Sequence, residues 1–140
     1  MTGEQLFLRY AFPCVQAREI MGKISPKHSQ ELTTWAIQDL QPTRRRLKFC
    51  FPHAFRALRQ LARANNRQTW SLINVQDYWR SNHGHEGDCA VQLVTVVNLN
   101  KIVTVNNGAD QLPVVNLYGL HLRVGDKVYT HKRCIVELAA

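Results

Sequence analysis

Long apolar runs are missing from this sequence. None approaches the ~20 residues that a membrane-spanning helix requires, so no membrane partner is expected. The opening residues mix Glu4 and Arg9 with apolar side chains, which is not the charged-then-apolar order of a secretory leader. Cysteine is sparse and scattered: Cys14, Cys50, Cys89 and Cys134, with no C-x-x-C pair. That argues against a disulfide framework and for reduced thiols in a cytoplasmic protein. No G-x-S-x-G, P-loop or Rossmann glycine pattern occurs, so the commonest nucleophile and phosphate-binding signatures are excluded. Repeats and low-complexity tracts are absent as well. With 45% hydrophobic and 20% charged residues among 140, the chain has the composition of an ordinary globular protein.

Negative charge is missing from one long stretch. No acidic residue lies between Asp39 and Asp77, while eight basic ones do: Arg44, Arg45, Arg46, Lys48, Arg56, Arg59, Arg63 and Arg67. The whole chain carries a formal net charge of +8, and residues 1–80 hold all of the excess. Such a block attracts an acidic protein face, nucleic acid or another phosphate-bearing ligand. A solvated helix face is the plain structural alternative.

The period of the apolar residues changes along the chain. Residues 1–84 read as a basic helical region. Leu6, Phe7, Tyr10 and Ala11 recur at helical spacing, and Gly22 offers a stop. Ser25-Pro26 is a helix start, because serine caps free N–H groups and proline tolerates the first helical position. Leu32, Trp35, Ala36 and Leu40 are expected to face inward from that helix, and Thr43 to cap the next. Phe51, Phe55, Leu58 and Ala62 form one stripe, and Arg56, Arg59, Arg63 and Arg67 another. Pro52 should break the segment, and Asn74 should cap a last short helix.

Residues 85–140 read as strands of alternating period, with turns at 98–100, Asn107-Gly108 and Gly125-Asp126. Five short strands in so few residues point to a small closed or half-closed barrel, with Pro113 at an edge or bulge. The expected fold class is therefore α+β: a helical N-terminal part packed against a five-stranded β-barrel as one compact unit. Strand should be absent from residues 4–64, and helix from the chain beyond residue 95.

Chemistry concentrates at the junction, His83-Gly84-His85-Glu86-Gly87-Asp88-Cys89. Imidazole, thiolate and carboxylate bind zinc, iron or nickel, and the glycines let the side chains converge. His131 and Cys134 add a second His–Cys pair, and Cys50 with His53 a third. The candidate metal set is His83, His85, Cys89 and His131 around a transition metal. No zinc-finger spacing is present. A metal-dependent enzyme or a Cys89–His85 thiol enzyme is the catalytic alternative, but enzyme activity is not the expectation. A nucleic-acid reading combines Arg44, Arg45, Arg46, Arg56, Arg59, Arg63 and Arg67 with Phe49, Phe51, Phe55, Trp70 and Trp79. Most of those rings lie on the stripe expected to face the core.

Val124-Gly125-Asp126-Lys127-Val128-Tyr129-Thr130-His131 resembles the VGD-x-V-x-x-H stretch of the small β-barrel hydrogenase assembly chaperones (HypC/HupF type). The resemblance spans residues 89–138 and leaves residues 1–80 unmatched. It implies a small barrel and a chaperone-like accessory role in metalloenzyme assembly. In that family an N-terminal Met-Cys presents a thiolate to the iron centre under construction. Cys89 is the only counterpart; it is internal, and Leu93 stands where the family has proline. The expected function is a non-catalytic accessory protein that docks an acidic partner through its basic helix. Nucleic-acid binding is the alternative.

Overall fold

The computed structural model describes residues 1–84 and 90–139. The chain divides into two units, Met1–His83 and Gly84–Ala140. The first is helical and the second is an antiparallel sheet, so the fold class is α+β. No described helix is long and apolar enough to cross a membrane.

The helical unit is built around α1, Gly3–Ala11, in which every residue but Gln5 is buried. Thr2 caps it: its hydroxyl accepts from the Gln5 N–H, and the Gln5 side chain accepts from the Thr2 N–H. The charges on this central helix are met locally. Glu4 accepts from Gln41 at 2.8 Å, and Arg9 pairs with Asp39 at 3.2 Å. A 3-10 turn, Phe12–Cys14, leads into α2, Val15–Ile20, and Gly22 takes the left-handed φ of +72° beyond it. Ser25 and Thr43 cap α3, Pro26–Ile37, and α4, Arg44–Cys50, as their sequence positions imply. Pro52 opens α5, Pro52–Ala64, directly after α4 ends.

Two details differ from the sequence reading. The N-cap of α6, Leu72–Asp77, is Ser71, whose hydroxyl accepts from the Asn74 N–H. Asn74 is instead fully buried, and its amide donates to the Leu58 and Thr69 carbonyls at 3.1 and 2.9 Å. Leu40 is exposed, because α3 stops at Ile37 and the chain turns at Asp39 with φ +53°. The helical phase that would have carried Leu40 inward has ended by then.

Aromatic rings fill the core. Phe7 meets Phe51, Trp70 and Trp79 edge-on, with centroids 6.0, 5.3 and 5.4 Å away. Tyr10 stacks on Trp79 at 5.5 Å. Trp79 starts from the π-helical turn Tyr78–Asn82 that continues α6.

The sheet unit holds β1, Gln92–Asn98; β2, Val103–Asn106; β3, Gln111–Val114; β4, Lys127–His131; and β5, Cys134–Leu138. Neighbours are antiparallel in the order β3-β2-β1-β4-β5. Val94, Val96, Val105, Val114, Val128 and Ile135 form its core, covered in part by Leu112, Leu120 and Leu122. The expected barrel is not formed. Closure needs a continuous ladder between the two edge strands. Here β3 is four residues long, and the edges share one isolated parallel bridge, Val115 with Cys134. Pro113 lies on edge strand β3, where its missing N–H removes no interior ladder bond. The Gly125-Asp126 turn docks on β1: the Gly125 N–H donates to the Val96 carbonyl, and the Val96 N–H to that of Asp126. Residues 90–138 contain no helix, and residues 4–64 no strand.

The backbone of α1 approaches Trp70 so closely that a Cβ on Gly3 would lie 1.8 Å from the Trp70 carbonyl oxygen. Gly3→Ala must therefore push α1 away from Trp70. A loss of about 1–3 kcal/mol is expected, as for overpacking of a core. Urea unfolding followed by tryptophan emission reads it, and an unchanged midpoint would refute this packing.

Candidate binding face and cavity of the helical unit

The basic block divides into paired and unpaired cations. Arg46 is held by Glu31, Arg67 by Asp77 at 2.9 Å, and Arg44 loosely by Glu4 at 3.7 Å. Arg45, Lys48, Arg56, Arg59 and Arg63 are exposed and form no ion pair among the described residues. The helical phase of α5 explains the arrangement. Leu58 and Ala62 turn to the core, which leaves Arg56, Arg59 and Arg63 on the outer side. Arg67 follows the end of α5 and is half-buried beside Asp77, so it departs from the exposed stripe.

Between α4, α5 and the segment before α6 lies a groove of about 490 Å³, lined by Arg44, Lys48, Phe55, Arg67, Gln68 and Trp70. Its aromatic rings are already engaged. Phe55 stacks on Trp70 at 5.9 Å, while Lys48 Nζ and the Arg59 guanidinium carbon lie 4.9 and 5.6 Å from its centroid. Trp70 also meets Phe7. Phe51 and Trp79 are buried, whereas Phe49 is 65% exposed and packs edge-on against His28.

A second cavity, of about 390 Å³, opens on another flank of α5. Ala11, Phe51, Ala54, Ala57 and Trp79 make it largely apolar, and Cys14, Arg18, His53, Tyr78 and His83 bring polar groups. Tyr78 Oη lies 3.0 Å from His83 Nδ1, a hydrogen bond whose direction follows the imidazole tautomer. Arg18 Nε donates to the Cys50 carbonyl at 3.0 Å. Burial, and then the charge of a Cys14 thiolate, push the Tyr78 phenol up to about 12. Sequence reasoning singled out His53 and His83 but not Tyr78, Cys14 or Arg18 as site residues; Cys14 and Arg18 lie together on α2 and the turn before it. Their i, i+4 spacing carries no signal until the fold sets them against α5.

The expected metal set is only partly visible. His85 and Cys89 lie outside the described residues. His83 belongs to the helical unit and bonds to Tyr78, and His131 belongs to the sheet unit. His131 is fully buried in β4, opposite Cys134. Among the described residues, no three His, Cys, Asp or Glu side chains gather as metal ligands would. Burial pushes the Cys134 thiol up to about 11, partly offset by a hydrogen bond with the Leu117 backbone. The Cys50 thiol is also raised by burial, against the pull of Arg46 and Arg18. These two thiols are packing groups, not activated nucleophiles.

The alkaline limb of stability follows. Tyr78 and Cys134 are acids with raised folded-state pKa values, so the folded protein holds their protons longer than the unfolded chain. Their contribution is complete below the unfolded pKa and is lost as pH rises through the folded one. For Cys134 the window runs from 9 to about 11, and for Tyr78 from 10 to about 12. Each should lower stability by about 1.4 kcal/mol per pH unit within its window. Cys134→Ala should flatten the earlier limb and Tyr78→Phe the later one, in urea melts across that range. A wild-type profile level to pH 11 would contradict these burials.

No protein-family model, curated protein or solved structure matches the chain.

Proposed function

We propose that this is a non-catalytic accessory protein that docks an acidic partner protein through the exposed face of α4 and α5. The observation carrying this reading is the set of five exposed cations that form no ion pair among the described residues, Arg45, Lys48, Arg56, Arg59 and Arg63. A carboxylate-rich surface complements them, speeds encounter and fixes register. The aromatic engagement favours protein over nucleic acid. Phe55 already stacks on Trp70 and lies against Lys48 and Arg59, so a base would have to displace existing contacts to stack on it. The likeness of residues 124–131 to the hydrogenase assembly chaperones supports a finer reading. In it the partner is a metalloenzyme being assembled in the cytoplasm.

Random single- and double-stranded oligonucleotides test this reading, titrated across salt concentrations with wild type, Arg59→Glu and Arg63→Glu. Weak binding that vanishes at physiological salt is expected. A nucleic-acid site with four phosphate contacts would give a log–log salt slope of about −3 to −4 on duplex. Micromolar affinity at physiological salt, abolished by both substitutions, would overturn the protein-docking reading.

A further inference from the structure

We propose that the cavity between α2, α5 and the Tyr78–Asn82 turn is a binding site for a small apolar monocarboxylate, with Arg18 holding the carboxylate. Its volume of about 390 Å³ falls within the range of small-molecule pockets, and the wall is mostly apolar with a few convergent polar groups. Phe51, Ala57 and Trp79 offer a surface for a ring or short hydrocarbon body. One cation faces this apolar space. Arg18 spends Nε on the Cys50 carbonyl and has no ion pair with any described carboxylate. Its guanidinium carbon lies 5.7 Å from the Phe51 ring centroid, a contact that orients the planar group. Its terminal nitrogens are suited to a planar carboxylate, the anion guanidinium pairs with most specifically. The hydrogen-bonded Tyr78 and His83 supply a polar wall for the remainder of the ligand. Among the described residues, Arg18 is the one arginine or lysine lining the cavity, so a monocarboxylate fits better than a dicarboxylate. The cavity uses Ala54 and Ala57 of α5, whereas the docking face uses Arg56, Arg59 and Arg63, so either proposal can fail without the other.

The test uses the full chain, with 3-phenylpropionate as probe and 3-phenylpropionamide as its uncharged control. Calorimetric titration should show saturable millimolar or tighter binding of the acid, which is reasonable for so small a ligand. The amide should bind about tenfold more weakly, the value of one charge-assisted hydrogen bond. Arg18→Gln should weaken the acid by a similar ~tenfold factor and leave the amide unchanged. Cys14 lines the cavity, so saturating acid should also slow its alkylation by iodoacetamide severalfold, read by peptide mass spectrometry. Because Arg18 also supports the Cys50 carbonyl, Ala57→Leu provides a second variant that fills the cavity within a helix. It should abolish binding while retaining the helical circular dichroism. Equal affinity for acid and amide would overturn the proposal. So would an absence of saturable binding, or unchanged binding in Ala57→Leu.

Discussion

The helical unit depends on the burial of α1 among aromatic rings. Phe7 alone meets Phe51, Trp70 and Trp79, and Tyr10 stacks on Trp79 from the next turn. Edge-on contacts at these separations add about 0.5–1.5 kcal/mol each beyond the area they bury. A helix so enclosed must settle its own charges, and Gln41 and Asp39 do this for Glu4 and Arg9. It must also let its neighbours approach, which explains glycine at position 3 beneath the Trp70 carbonyl.

That same commitment shapes the surface. Rings drawn into the core leave the outer flank of α4 and α5 to cations, and the lone exposed phenylalanine of that segment, Phe49, stands apart from the Phe55–Trp70 stack. Helix α5 thus serves three directions. Leu58 and Ala62 face the core, Arg56, Arg59 and Arg63 face outward, and Ala54 and Ala57 leave room for the cavity. Alanine at those two positions is what makes space beside Arg18. A larger side chain would fill it without disturbing the helix.

Local features were legible in the sequence because local forces set them. Ser25, Thr43 and Pro52 mark helix starts through capping and fixed φ, and the change from helical to alternating period separates the two units. Features decided by distant partners were not. Ser71 and Asn74 are both able to cap, and burial of Asn74 against the Leu58 and Thr69 carbonyls selects Ser71. Strand count suggested a barrel, but closure depends on ladder length at the edges, and a single bridge at Val115 does not supply it. The basic face was readable from the absence of acidic residues. Which cations stay unpaired was not, since Glu31 and Asp77 reach Arg46 and Arg67 only in the folded unit. The cavity was invisible for the same reason: Cys14, Arg18, Ala57 and Trp79 are distant in sequence and ordinary in type.

The central claim is that the α4–α5 face acts by charge toward a protein, with its aromatic rings spent on packing. Tryptophan emission during titration with a thymidine oligonucleotide at low salt tests this most directly. Any binding should proceed by charge alone. Trp70, held between Phe7 and Phe55, should then keep its emission unchanged, and Phe55→Leu should leave the affinity unaltered. Saturable quenching of tryptophan emission, with affinity lost in Phe55→Leu while every cation is retained, would contradict the account.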